Sequence, residues 1–288
     1  MSGPAQTRGP LVTNEVVGAY HRLTIAAPGV ADAAAPGQFV AVAVGGPTSA
    51  QLLRRCFSLH AVSAEDGGRL AVVVAAKGAG TQWLTALRPG DLVDVVAPLG
   101  RPFPLPDEPC ACVLVGGGYG SAPLFWLAEV LRARGCRVEM ILGAGSADRL
   151  YGVEEAGRVA DAVHVTTDDG SLGRRGWVSE VLPEVIERTG ARYAYACGPM
   201  GMLAAVTEVA TAHEATAYVA VEESMACGIG VCMTCVLPVR RDDGVTAMVR
   251  SCVDGPVFRG DQVRWDAYAD GVCRVPADAL GAPRPGGH

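Results

Sequence analysis

The sequence has little charge and few aromatic side chains. Charged residues make up 19% and aromatic residues 6%, and the formal net charge is −6. A chain without a basic excess gives no electrostatic case for binding nucleic acid or an anionic membrane. Long apolar runs are also missing. No stretch reaches the roughly 18 consecutive apolar residues that mark a spanning helix. The opening MSGPAQTRGP has no apolar run and is not expected to be a signal peptide. These absences lead to the expectation of a soluble cytoplasmic protein. What is plentiful is apolar: half of the 288 residues are hydrophobic, enough for two or three small domains.

Cysteine is not scarce either. The chain has ten, and a reducing compartment argues against disulfides. Six are scattered: Cys56, Cys110, Cys112, Cys136, Cys197 and Cys273. Those in apolar runs such as EPCACVLVGG are expected to pack as small hydrophobes. The other four are clustered, and clustering points to metal.

Three passages differ in rhythm. Residues 1–105 contain short β-rich runs (VVGAYHRLTIAA, GQFVAVAV, RCFSLHAVS, RLAVVVAAKG, DLVDVVAPLG) separated by turn residues. That spacing predicts a small antiparallel barrel. Residues 106–216 alternate apolar strands such as CVLVGG and RVEMILGAG with helical stretches such as APLFWLAEVLRARG and VSEVLPEVIERTG. Alternation of this kind predicts a parallel, nucleotide-binding sheet. Residues 217–288 hold the clustered cysteines and end in a Pro/Gly-rich tail, PADALGAPRPGGH, expected to fray. The expected fold class is therefore α/β joined to all-β, with a small C-terminal metal subdomain.

The cysteine spacing is Cys227-x4-Cys232-x2-Cys235, then sixteen intervening residues before Cys252. It follows the plant-type [2Fe–2S] spacing, in which three close thiolates wrap one side of a cluster and a fourth closes the cage. Its last gap is shorter than in plant-type ferredoxins, which argues against a plain ferredoxin domain. Gly228 and Gly230 let backbone N–H groups approach anionic sulfur. Zinc is the alternative, although zinc knuckles usually pair CxxC with a second close pair. Upstream, GGGYGSAP places Gly116, Gly117, Gly118 and Gly120 between a strand and a helix. Such a turn suits a pyrophosphate, or is simply a turn. RCFS (55–58) and KGAGTQWL (77–84) offer Arg55 and the backbone of Gly80 and Thr81 to an anion. An ordinary hairpin strand is the plainer reading of RCFS.

The order of these pieces resembles the ferredoxin–NADP reductase superfamily: RxFS, GxGT, a glycine-loop sheet, then Cys197-Gly198-Pro199. The appended cysteines and the TDDGS segment at 167–171 narrow the resemblance to the electron-transfer subunits of NAD-dependent (class 1B) dihydroorotate dehydrogenases. The resemblance implies that Arg55, Cys56, Phe57 and Ser58 bind FAD, with Ser58 near its reactive edge. It implies that Val73, Val74 and Ala75 line that cofactor, that Gly80 and Thr81 hold its pyrophosphate, and that Cys197, Gly198 and Pro199 lie near the nicotinamide. Phe57 departs from the usual tyrosine and lacks its hydroxyl. Ala75 stands where relatives often carry a polar or basic residue. Near the second sheet strand, Gly145, Ser146 and Asp148 precede Arg149, a pattern that favours NADH over NADPH.

By the same resemblance, NADH gives up a hydride pair to FAD, and single electrons leave by way of the cluster. No repeated strand–helix pattern of a (β/α)8 barrel is present, so substrate oxidation is expected on an FMN-containing catalytic subunit, in an assembly of two copies of each chain. Met225, Ala226, Ile229, Val231 and Met233 either face that subunit or pack beneath the cluster. The rival expectations are a reductase serving another redox enzyme, or a zinc-binding scaffold.

Overall fold

The computed structural model describes residues 3–46, 49–269 and 272–282. The first passage forms seven strands: β1 (Ala5–Val17), β2 (Tyr20–Ala26), β3 (Phe39–Val42), β4 (Arg55–Ser58), β5 (Ala61–Ser63), β6 (Arg69–Val74) and β7 (Leu92–Leu99). They pair antiparallel in the order β4-β3-β7-β1-β2-β6-β5, a curled sheet. Its inward residues, among them Leu11, Leu23, Ile25, Val40, Val42, Val72, Val74 and Val95, make one apolar core. VVGAYHRLTIAA is not one strand. Gly18 takes a left-handed φ of 59°, and the chain turns there from β1 into β2. Between β6 and β7 lies a short helix, α1 (Ala79–Thr85).

The second passage builds a parallel sheet from β8 (Ala111–Gly117), β9 (Arg137–Ala144), β10 (Ala162–Thr167), β11 (Arg174–Arg175), β12 (Tyr193–Cys197) and β13 (Thr216–Ala220). The strand order is β11-β10-β9-β8-β12-β13, with β16 (Val257–Arg259) added antiparallel at the far edge. Helices α2 (Ala122–Ala133), α3 (Val153–Val159), α4 (Val178–Thr189) and α5 (Met200–Ala212) connect these strands. α2 and α3 pack one face with Leu124, Leu127, Leu131 and Ala156. α4 and α5 pack the other with Val181, Leu182, Val185, Leu203 and Val206. Strands covered on both sides read as continuous apolar runs, as CVLVGG does. The sheet does not end at residue 216: β13 begins there, and β16 returns from the last passage.

One buried carboxylate fastens β9 to its neighbours. Glu139 on β9 is 1% exposed. It accepts hydrogen bonds from Arg137 at 2.8 Å and Arg188 at 3.0 Å, and pairs with His164 at 3.0 Å. Burial pushes its pKa up, but the bonds from Arg188 and His164 outweigh burial and bring it down to about 2. A carboxylate depressed in the native state stabilises it above the unfolded-state pKa of about 4.3. That stability should drain away as pH falls from about 4 toward about 2. Glu139→Gln should cost about 1–3 kcal/mol at neutral pH and flatten this acid limb. Urea midpoints measured across that pH range check it; an unchanged limb in the variant would contradict it.

The cysteine passage adds the hairpin β14 (Val236–Arg240) and β15 (Thr246–Arg250), then the single turn α6 (Ser251–Asp254). The tail is less frayed than its composition suggests. Ala279 is buried, Leu280 N–H donates to Thr246 O at 2.8 Å, and Arg264 binds Asp278 at 2.8 Å. Residues 283–288 of that tail lie outside the described residues. Among the described residues, no helix is long and apolar enough to cross a membrane.

Candidate functional site

Two adjoining cavities lie where the curled sheet meets the carboxyl ends of the parallel strands. The smaller, about 310 Å³, is lined by Arg55, Cys56, Phe57, Ser58, Val73 and Thr81 from the curled sheet and α1. Gly120, Cys197, Ala220 and Met225 line it from the other side. The larger, about 970 Å³, is lined by Ala75, Gly117, Gly118, Gly120, Asp148, Arg149 and Pro199, among others. Tyr119, Gly120 and Glu222 border both. The carboxyl edge of a doubly wound sheet is where such folds bind ligands.

The residues singled out in sequence sort between these spaces. Arg55 donates to Gln51 Oε1 at 2.7 Å and to Leu53 O at 2.6 Å. A Cβ built on Gly80 would meet the Arg55 guanidinium at 3.1 Å, so RCFS and GxGT converge. The Thr81 hydroxyl accepts from Lys77 N and Gly78 N, both at 3.0 Å, and so closes the loop on itself. Val73 lines the smaller cavity, whereas Val74 points into the curled sheet's core. Phe57 packs against that same core. Ala75 borders the larger cleft.

The glycines keep two loops in contact. At Gly120 a Cβ would lie 2.9 Å from Gly198 Cα and 3.0 Å from Cys197 O. At Gly117 it would lie 2.8 Å from Pro199 Cδ. GGGYG and CGP therefore touch backbone to backbone. Gly116 faces Ser121 rather than a cavity. Burial raises the Cys197 thiol to about 12, with Glu222 adding to the shift, so it stays protonated at neutral pH.

Four residues lining the larger cleft, Tyr20, Lys77, Tyr119 and Glu222, escape the sequence reading. Tyr119 donates to Glu222 Oε1 at 3.1 Å, and Lys77 Nζ donates to Tyr119 at 3.3 Å. Tyr20 lies 5.5 Å from the Tyr119 ring. The tyrosine within the glycine loop and the acid pair before the cysteines were the available signals. Their meeting is a long-range event that no local pattern encodes.

The four clustered cysteines sit directly behind the smaller cavity. Cys235 and Cys252 are each 2% exposed and pack with Phe39, Ala41 and Leu99 on the curled sheet. Cys227 is half-buried and Cys232 exposed. Ile229 N–H donates to Cys227 Sγ at 3.5 Å, and the Thr234 hydroxyl donates to Cys232 Sγ at 3.1 Å. The Thr234 bond, with help from Cys227, brings the Cys232 thiol down to about 6. Burial and Cys235 push Cys252 up to about 12. Four thiols with backbone and hydroxyl donors on sulfur fit an iron–sulfur cluster. Cys56 links the two places: it lines the smaller cavity and packs beside Cys235 and Cys252. A Cβ on Gly228 would meet its sulfur at 3.1 Å. Of the apolar residues around the cysteines, Met225 packs inward, while Ile229, Val231 and Met233 are exposed.

Known proteins share this arrangement. Residues 222–264 match the family model of the iron-sulfur cluster binding domain of dihydroorotate dehydrogenase B. The chain is 36% identical over 240 residues to the dihydroorotate dehydrogenase B (NAD(+)) electron transfer subunit of Desulforamulus reducens, covering 83% of this chain and 90% of the relative. The same subunit of Bacillus caldolyticus is 38% identical over 247 residues, covering 84% and 92%. Among solved structures, an NADH-dependent reduced ferredoxin-NADP oxidoreductase superposes with a TM-score of 0.77 at 30% identity, over 90% of each chain. A ferredoxin NADP+ reductase from Neisseria gonorrhoeae, with bound FAD and NADP, shares the fold at a TM-score of 0.60 and 16% identity, covering 72% of this chain and 91% of that one. At that identity it speaks for the fold alone. Sequence, fold and cysteine module agree, and the chain belongs to the family of electron transfer subunits of NAD(+)-dependent dihydroorotate dehydrogenase B.

Proposed function

We propose that this chain carries electrons between NAD(H) and a dihydroorotate-oxidising catalytic subunit, using FAD and a [2Fe–2S] cluster. The observation that carries the reading is β4. One four-residue strand lines the smaller cavity through Ser58 and Phe57 and touches the cysteine site through Cys56. When bound, FAD supplies exchange between electron pairs and single electrons, and the cluster supplies single-electron carriage.

The chain's own residues position and insulate. Arg55 and the Gly80–Thr81 backbone hold the FAD pyrophosphate, and Ser58, Val73 and the backbone at Val74–Ala75 line the flavin. Gly117, Gly118 and Gly120 leave room for the nicotinamide nucleotide. Cys197, Gly198 and Pro199 close its inner end against the smaller cavity. Cys227, Cys232, Cys235 and Cys252 hold the cluster. No side chain has to move a proton during hydride transfer. The protonated Cys197 thiol packs rather than acts as a base, and its role is positional.

Three working regions follow: an FAD region over 1–105, a nicotinamide region over 106–216 and a cluster region over 217–288. β13 and β16 tie the third to the sheet of the second. The partner is an FMN-containing subunit, with two copies of each chain in a cytoplasmic assembly. Exposed Ile229, Val231 and Met233, beside exposed Cys232, suit an apolar contact that shortens the path to that subunit.

The purified chain should show flavin absorption with an iron–sulfur shoulder and should reduce an artificial dye with NADH. Asp148 and Arg149 both border the nicotinamide cleft, and the Ser146 hydroxyl donates to Asp148 at 2.5 Å. An acid at this point suits a free ribose 2′-hydroxyl. NADH should exceed NADPH in kcat/KM by about tenfold or more. A clear NADPH preference would overturn the assignment of Asp148, and a colourless zinc protein would overturn the function.

A further inference from the structure

We propose that Cys110, Cys112 and Cys136 form a second thiolate site, distinct from the four clustered cysteines, for a thiophilic divalent cation of the zinc–cadmium class. Their three sulfur atoms all lie within 4.8 Å of one another. Cys110 Sγ and Cys112 Sγ are 3.9 Å apart. Sulfurs bound to one zinc at about 2.3 Å in a tetrahedron stand about 3.8 Å apart. The closest pair therefore already has the spacing of a shared ion, and the third needs only a small side-chain adjustment.

The sheet itself creates the group. Residues two apart on a strand share a face, so CxC at the start of β8 puts Cys110 and Cys112 side by side. β8 and β9 run parallel, with Ala111 opposite Arg137 and Cys112 opposite Val138. Cys136 is thereby brought next to Cys110, and Arg137 N–H donates to Cys110 O at 3.2 Å. Cys112 and Cys136 are buried at 1% and 5% exposure, while Cys110 is half-buried. The open side is thus the Cys110 side, where water can complete the coordination.

The donor set selects the ion. Thiolates favour zinc, cadmium or copper(I) over magnesium or calcium. Burial, ahead of the neighbouring sulfurs, raises the Cys110 and Cys112 thiols. Binding exchanges protons for metal: M²⁺ with three R–SH gives M(SR)₃⁻ and three H⁺. The single negative charge left over lies within the field of the Arg192 guanidinium, which acts on Cys110.

The location sets the consequence. Residues 102–109 connect the curled sheet to β8. Tyr195 donates to Pro104 O at 2.9 Å and Arg134 to Pro106 O at 2.9 Å. An ion at the three cysteines would pin the end of this connector to the start of β9. It would stand at the opposite end of β8 from Gly116, about 20 Å along the strand. Binding should stabilise the fold and leave NADH oxidation alone.

Cadmium titration of the full chain, loaded with FAD and its cluster, tests this. Difference absorption for thiolate-to-cadmium charge transfer is read together with bound-metal analysis. One cadmium per chain should bind without loss of iron, and it should raise Tm. Cys110→Ala should weaken that binding about a hundredfold or more, with FAD content and NADH-to-dye activity intact. Cys273→Ala, a thiol elsewhere, should bind as wild type does. Cys136→Ala provides an independent second loss. The proposal falls if the wild type binds no cadmium, if Cys110→Ala and wild type bind equally, or if cadmium enters only as iron leaves.

Discussion

Cys232→Ser should empty the protein of iron and sulfide while leaving FAD in place. Cys232 is exposed, so the change removes no core packing. It removes a sulfur whose thiolate form is favoured by the Thr234 hydroxyl at 3.1 Å. A serine hydroxyl in that place stays protonated and is a poor ligand for iron. The proposed FAD contacts lie on β4, β6 and α1, which do not include this loop. NAD-linked turnover with the catalytic subunit should fall about a hundredfold or more, beyond the 10–100-fold typical of losing an outer-shell partner. NADH-to-dye transfer should stay near wild type. Full iron and sulfide occupancy in the variant would remove Cys232 from the ligand set.

Arg55→Ala should release FAD. The guanidinium is already fixed by Gln51 and the Leu53 carbonyl, so little ordering remains to be done when an anion arrives. It sits against Gly80 in the loop proposed to hold the pyrophosphate. Losing a hydrogen bond to a charged group costs about 1.5–3 kcal/mol, which weakens FAD binding about 10- to 150-fold. Arg55→Lys should recover only part, because a lysine cannot reproduce the fork. If Arg55 only clasps residues 51–53, the alanine variant will lose stability and keep its FAD affinity. Flavin retention on dilution separates the two outcomes.

What could be read in the sequence was what is local. Cys227, Cys232 and Cys235 fall within one loop, and GGGYG lies between a strand and a helix, so their spacing carries their chemistry. α2 and α4 each repeat apolar residues over about three turns, and they stand where the periodicity predicts them. α3 leaves no such stripe in the sequence: it has seven residues and buries only Ala156. The β1–β2 hairpin reads as one continuous β-rich run because only Gly18-Ala19 separates its two strands. The meeting of Tyr119, Lys77 and Glu222 joins residues 42 and 103 positions apart. The convergence of Cys136 on Cys110 depends on strand register. Neither leaves a signature in any window of sequence, and Cys110, Cys112 and Cys136 read there as scattered apolar packing.

The most direct measurement is dihydroorotate-dependent reduction of NAD(+) by this chain reconstituted with the FMN-containing catalytic subunit from the same source. The chain alone should oxidise NADH with a dye and leave dihydroorotate untouched. The catalytic subunit alone should not reduce NAD(+). Together they should couple the two reactions, and the Cys232→Ser chain should not. Full NAD-linked turnover with cluster-free protein would contradict the electron route. No turnover with that subunit, alongside robust turnover with a different redox enzyme, would contradict the partner.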